Sequence, residues 1–300
     1  MNDLTKKITL AFYVFVLTLN IGCNYSYKLK PGDSKESSGE VNKSSGERRS
    51  LSWPDGTPPD SMLIKDGLVL WLDANDVNAD SIFDTHNLDA KLDRWKDKSI
   101  SGNVALQPSS QSQPKAVKGN SENRKDLKMV YFDGNQSFSL KNIPKGRTFF
   151  WVLNPDDNCA ANTHFGHTEI GWGTTWNRRM FHGLGTTNED YATFSRINGV
   201  RAPLATFNNS WGGPLCFYSL RLDDFKDFSL IGCNYTQINP STVKDGSKLY
   251  FFKGLIGEII VYSKNLTDSE TSEVENYLSQ KWGIPKKTSS PINPSDLYKP

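Results

Sequence analysis

Apolar residues in this chain come in short runs, and each run ends near a glycine, proline, asparagine or aspartate. Residues 66–73, Asp-Gly-Leu-Val-Leu-Trp-Leu-Asp, are the first. Residues 129–132, 137–140, 148–153, 215–222, 228–233, 248–252 and 255–262 follow. Short runs rich in β-branched and aromatic side chains, punctuated this way, predict strands. Helical spacing is convincing only near the end. Thr267-Asp268-Ser269-Glu270 is a capping box, in which the Thr hydroxyl accepts from the Glu amide and the Glu carboxylate reaches back. Val274, Tyr277, Leu278 and Trp282 then share one face, and Gly283 followed by Pro285 stops the helix. Many short strands and one terminal helix predict an all-β fold: a two-sheet antiparallel jelly-roll sandwich, with a C-terminal α-helix on one edge or face.

Composition narrows the function classes. Basic and acidic side chains number 35 and 33, so no net field favours nucleic acid. At 12% aromatic the chain is not disordered, and four cysteines in 300 residues are too few for a disulfide scaffold.

The N-terminus reads as an address. Lys6 and Lys7 precede a nearly unbroken apolar stretch over 8–22, which has the length of a signal core rather than of a bilayer span. It ends at Leu19-Asn20-Ile21-Gly22-Cys23. This resembles a bacterial lipoprotein signal, with residues 1–22 removed and Cys23 lipidated, although the leucine lies one residue further from the cysteine than usual. Two or three acyl chains anchor stably where one does not, at about 0.8 kcal/mol per buried methylene. Residues 23–61 are dominated by Ser, Gly, Lys and Glu, with Ser-Ser-Gly-Glu occurring twice, and predict a flexible leash. The sandwich is then expected over 62–286 and a flexible tail over 287–300. Asn24 is not the aspartate that retains some lipoproteins in the inner membrane, which points to the outer membrane of a bacterial envelope.

Leu68-Val69-Leu70-Trp71-Leu72-Asp73-Ala74-Asn75-Asp76, Arg94-Trp95-Lys96-Asp97-Lys98-Ser99 and Val130-Tyr131-Phe132-Asp133-Gly134 resemble laminin-G-like domains of the concanavalin A-like lectin/glucanase superfamily. So does the closing run from Gly257-Glu258-Ile259-Ile260-Val261-Tyr262 to Trp282-Gly283-Ile284. The resemblance implies a jelly roll used as a carbohydrate- or protein-binding module. It also implies a calcium site, for which Asp73, Asn75, Asp76 and Asp80 offer oxygens; against it stands the reading of these residues as ordinary solvated loop side chains. Much of the signature has a plain structural use: Trp71, Trp95 and Trp282 are expected in the core, and Asp97 and Asp133 in turns.

Glucanases of this superfamily carry Glu-x-Asp-x-x-Glu on one strand, and no glutamate here has an aspartate two places on. Glu258 finds no partner within its own run. Nucleophile-elbow, P-loop and His-Glu-x-x-His patterns are absent. His164 and His167, with His182, are a metal candidate weakened by Gly166, against which ordinary loop histidines stand. The strongest binding signal lies in residues 164–213, where Trp172, Trp176, Arg178, Arg179, Arg196 and Trp211 occur among glycines. Flat aromatic faces match sugar rings, and arginine bonds hydroxyls or anions; the alternative is that the tryptophans complete the core. Taking 215–222 and 228–233 as a hairpin with a tight loop at Asp224-Phe225 places Cys216 opposite Cys233, within bridging reach; two buried thiols, or a bridge that involves Cys159, are the alternatives. The resulting expectation is a lipid-anchored, non-catalytic envelope module for a glycan or a glycosylated or matrix-type partner. A polysaccharide-acting enzyme with an atypical site in 155–247 and a purely structural lipoprotein are the alternatives.

Overall fold

The computed structural model describes residues 57–84, 87–119, 124–142, 144–156, 165–166, 192–201, 214–233 and 251–287. Seven of the eight apolar runs form β1 (Leu68–Asp73), β5 (Lys128–Asp133), β6 (Phe138–Leu140), β7 (Lys145–Pro155), β11 (Cys216–Asp227), β12 (Leu230–Ile231) and β13 (Lys253–Tyr262); of the eighth, 248–252, only residues 251–252 are among those described, and they lie outside the strands. Shorter strands join them: β2 (Arg94–Lys96), β3 (Val104–Leu106), β4 (Lys115–Lys118), β8 (Phe165–Gly166), β9 (Ala192–Ile197) and β10 (Val200–Arg201). One sheet has eight strands in the order β10-β9-β11-β7-β13-β5-β4, with β1 also paired to β13; the other has five, β2-β3-β6-β12-β8. Every recorded strand pairing is antiparallel. The all-β, two-sheet antiparallel sandwich expected from the sequence is therefore the fold.

The large sheet is buried on both faces. Towards the small sheet, Leu70, Leu72, Phe132, Trp151, Ile259 and Val261 pack with Trp95, Phe138 and Phe165. On the opposite face, Leu68, Trp71, Phe150, Val152, Ile260 and Tyr262 pack under the helix α1 (Asp268–Trp282). A strand covered on both sides reads as continuous apolar sequence instead of alternating, which is why 148–153 and 259–262 carry no polar spacing.

Helix α1 starts where its capping box predicts. Glu270 N donates to Thr267 Oγ1 (3.2 Å), and Thr267 N donates to Glu270 Oε2 (2.7 Å). It ends at Gly283, whose φ of 62° is left-handed and suits glycine at a helix stop. Val274, Tyr277, Leu278 and Trp282 are all buried.

Strand β13 lies at the centre of the site described below. One edge pairs along its length with β7. The other pairs with β1 over 258–262 and with β5 over 253–256, so β1 and β5 lie end to end. Ile256 faces Leu153 and Glu258 faces Val152, leaving Gly257 as an extra residue. Such a bulge re-aims the side chains beyond it: Ile256 and Ile259 both face the inter-sheet core, and Glu258 faces the helix.

The folded part begins before the expected leash ends. Pro58 is buried, Thr57 Oγ1 accepts from Arg124 Nη2 (2.7 Å), and Asp60–Met62 form a 3-10 turn. Leu63 is buried against the helix-side core, and Ile64 O accepts from the Tyr262 hydroxyl (3.0 Å). Residues 57–60 thus contact the sandwich, through the Arg124–Thr57 hydrogen bond, the buried Pro58 and the Asp60–Lys98 ion pair. Among the described residues no helix is long and apolar enough to cross a membrane.

Candidate functional site

Between the large sheet and α1 lies a cluster of charges with almost no exposure. Cross-strand pairing puts Asp73 of β1 directly opposite Glu258 of β13. Lys281, one turn after Tyr277 on α1, drops its ammonium between them, 2.6 Å from Asp73 Oδ2 and 3.0 Å from Glu258 Oε2. Lys98 approaches from the β2–β3 side, 3.0 Å from Asp76, 3.5 Å from Asp73 and 3.0 Å from Asp60. The Lys281, Lys98, Asp73, Asp76 and Glu258 side chains are at most 3% exposed, and Asp60, at 34%, is the rim of the cluster.

Neutral donors complete it. Trp71 Nε1 (2.6 Å) and the Tyr277 hydroxyl (3.1 Å) donate to Glu258 Oε1, and Trp282 Nε1 (2.8 Å) donates to Oε2. Asp73 Oδ1 accepts from the backbone N (3.0 Å) and Nδ2 (3.3 Å) of Asn75, and Asn75 Oδ1 accepts from Lys128 N (2.7 Å). Trp95 Nε1 donates to the Asp73 carbonyl (3.0 Å). The Lys65 and Lys98 ammoniums each lie 4.4 Å from the Trp71 ring centre, a cation–π distance. The three signature tryptophans are core residues, as expected, and the N–H groups of Trp71 and Trp282 also orient the Glu258 carboxylate.

Electrostatics split the two acids. Burial opposes the charged form of Asp73, but the Lys281 and Lys98 ammoniums outweigh it and hold the carboxyl below its usual range. Burial pushes Glu258 above its usual range, helped by the Asp73 charge and opposed by Lys281 and the indoles. Burial also works against the Lys98 ammonium, yet Asp73, Asp60 and Asp76 raise its pKa. Removing one member of such a group would strand a buried charge, at about 3–5 kcal/mol.

The calcium expectation gives way here. Asp73 and Asp76 are ligated by ammoniums: Lys98 stands among three carboxylates where a cation was expected. Asp76 also accepts from Asp80 N and Ser81 N, and Asn75 is spent on Asp73 and Lys128. Asp80 turns onto its own loop, accepting from Ile82 N (2.9 Å). Among the described residues no three His, Cys, Asp or Glu side chains converge on a metal position.

The disulfide expectation fails for a topological reason. β11 runs on to Asp227 without turning at Asp224, and it pairs with β7 and β9. β12 belongs to the other sheet. Cys216 therefore faces Leu153 and Cys233 faces Phe251, and both are buried and not bridged to each other.

Of the expected ligand residues, Arg196 lies on β9, and its Nη1 is 3.3 Å from Glu275 Oε2 of α1. Glu275 is buried and also accepts from Ser219 Oγ (2.7 Å), so Arg196 fastens the helix to the sheet. Trp172, Trp176, Arg178, Arg179 and Trp211, with His164, His167 and His182, lie outside the described residues, as does Cys23. Asp97 and Asp133 do make turns. Asp97 accepts from Ser99 N and Asn103 N and also from Trp71 N of β1 (2.8 Å), and Asp133 accepts from Asn135 N.

Sequence reasoning missed the partnership of Glu258, Lys281 and Lys98. One signal was available. Lys281 falls seven residues after Val274 on the apolar stripe of α1, and Glu258 interrupts an apolar strand. Two opposite charges, each out of place in an apolar pattern, are candidates to be each other's partners. No known family, characterised protein or solved structure matches this chain in sequence or fold comparison.

Proposed function

We propose that the chain is a lipid-anchored bacterial envelope module, with a laminin-G-like sandwich that binds a carbohydrate or a glycosylated or matrix-type partner without turning it over. The anchor is Cys23, the leash runs from there to residue 56, and the outer membrane is its site.

The observation that carries the non-catalytic part is the sealing of Asp73 and Glu258. They are the carboxylates that pairing sets side by side, and Lys281 and the indoles of Trp71 and Trp282 occupy them. A glycosidase needs its two carboxyls flanking the bond it cleaves, and this pair has no exposed surface. The binding part is supported by the distribution of tryptophan. Trp71, Trp95, Trp151 and Trp282 fill the two cores. Of the remaining four, Trp172, Trp176 and Trp211 fall in the glycine- and arginine-rich stretch 164–213, to which the reading assigns the ligand surface.

A glycan array probed with residues 49–300 tests this. Binding that Trp172→Ala and Trp176→Ala abolish, with the urea midpoint unchanged, is the expected result. Turnover of a polysaccharide would replace the reading with an enzyme, and silence on every glycan and matrix protein would leave a structural lipoprotein. Failure of labelled palmitate to enter the protein would remove the anchor.

A further inference from the structure

We propose that Lys281 and Asp73 become joined by an intramolecular amide bond, formed in the folded chain with Glu258 as general base. The geometry is that of a reactive pair. Lys281 Nζ lies 2.6 Å from Asp73 Oδ2, in a pocket where both side chains are essentially unexposed. Glu258 Oε2 is 3.0 Å from the same nitrogen, within reach of its proton. The other Asp73 oxygen, Oδ1, accepts from the two N–H groups of Asn75, the arrangement that stabilises negative charge on a tetrahedral intermediate. The Tyr277 hydroxyl, 3.1 Å from Nζ, keeps the nitrogen in place.

The step balances without any co-reactant. One proton of the Lys281 ammonium passes to Asp73 Oδ2, to which it is already hydrogen-bonded, so that the freed amine meets a neutral carboxyl. The amine attacks Asp73 Cγ, forming the C–N bond, while Oδ1 takes up the negative charge and Glu258 takes one proton from the nitrogen. On collapse the Cγ–Oδ1 double bond re-forms, and the Cγ–Oδ2 bond breaks. Oδ2 departs with the proton held by Glu258, as water. The amide keeps the third proton. One ammonium and one carboxylate become one neutral amide and one water.

Two arguments favour the product. Holding the groups in contact is worth an effective molarity of about 10⁵–10⁸ M in oriented systems, and a dry site withholds the water that would reverse the reaction. The amide also removes two buried charges, whose desolvation is expensive. After the reaction Glu258 keeps three neutral hydrogen-bond donors, from Trp71, Trp282 and Tyr277, and Lys98 keeps Asp76 and Asp60. The bond would tie the first long strand to the closing helix, 208 residues apart in sequence.

Tryptic mass spectrometry of the denatured full-length chain, after prolonged incubation folded, decides the matter. The expected product is a branched species of 66–91 and 265–286, lighter than their sum by one water, with no cleavage after Lys281. Lys281→Arg keeps a positive charge but should return two separate peptides, and folded Glu258→Gln should slow or abolish the link. Recovery of 66–91 alone together with cleavage after Lys281 in the wild-type chain would overturn the proposal. A Glu258→Gln chain that cross-links at the wild-type rate would remove Glu258 as the base.

Discussion

Gly257→Ala tests how the bulge in β13 and the closing helix depend on each other. A β-carbon at 257 would lie 2.6, 2.8 and 2.9 Å from Cη2, Cζ2 and Cζ3 of Trp282. Real β-carbons do not approach that closely, so the indole must move. It is buried and bonded through Nε1 to Glu258 at 2.8 Å. Overpacking of a tight core costs about 1–3 kcal/mol. Tilting the ring loses a hydrogen bond to a charged group, about 1.5–3 kcal/mol more. The expected loss is about 3–5 kcal/mol, or roughly 1–2 M in the urea midpoint for a slope near 3 kcal/mol/M, with the slope unchanged. The same substitution in a Trp282→Leu background should cost under about 1 kcal/mol, because the atoms it strikes are gone. A double-mutant cycle in urea measures the coupling directly. If Gly257→Ala costs the same in both backgrounds, the indole is not what it meets and the account of the bulge is wrong.

Four further outcomes are expected. Lys281→Met takes the only ammonium from Glu258 among its described partners and leaves Asp73 that of Lys98 alone, and should cost about 3–5 kcal/mol at neutral pH; adding Glu258→Gln, which keeps an acceptor for the indoles, should recover much of that in urea melts while giving a second set of β1 amide signals by NMR. Glu270 is held at about 2 by the Thr267 N–H and then the Lys264 ammonium. Its folded pKa is depressed, so its stabilisation is present above the unfolded value of about 4.3 and is lost as pH falls towards 2. The gap in urea midpoint between wild type and Glu270→Gln should therefore close over that window. Burial pushes the Cys216 thiol up to about 12, so its native peptide should stay unlabelled by iodoacetamide at pH 8 and label fully in denaturant, with neither Cys216 nor Cys233 recovered as a 216–233 disulfide. Leu63→Ala removes a buried anchor of residues 57–63 and should cost about 2–4 kcal/mol; an unchanged rate of proteolysis within that segment would contradict its being clamped.

The strands legible in the sequence are those covered on both faces, since continuous runs such as Leu68 to Leu72 and Ile259 to Tyr262 advertise burial without needing alternation. The strands that escaped notice are short and edged with charge. β4 reads Lys-Ala-Val-Lys, and β2 buries Trp95 between exposed Arg94 and Lys96. Lysine and arginine blunt a sheet edge against pairing with other chains, and the same residues dilute the apolar signal. The helix was legible to the residue because its cap, stripe and stop are local. The cysteine pairing was not, because whether 216–227 turns back on itself or crosses between sheets depends on partners far away in sequence. The proposed ligand surface in 164–213 was read from composition alone, which names residue types but places none of them against another.

That same continuity leaves a problem that the buried charges solve. An alternating strand announces its inward face, and a one-residue slip would expose its core. A run such as Leu-Val-Leu-Trp-Leu can slip against Ile-Ile-Val-Tyr with little apolar loss, because both faces are oily. Asp73 and Glu258 end that degeneracy. Slipping β1 by one residue would turn Asp73 away from Lys281 and into the inter-sheet core beside Ile259, in the place that Leu72 holds in the native register. The penalty for an unpaired buried charge, about 3–5 kcal/mol, exceeds what any single cross-strand apolar pair contributes, about 0.2–1 kcal/mol. Placing the acids where β1, β5 and the Gly257 bulge meet sets the register of three strands at one point. The helix that carries Lys281 can then close only on the correctly paired sheet.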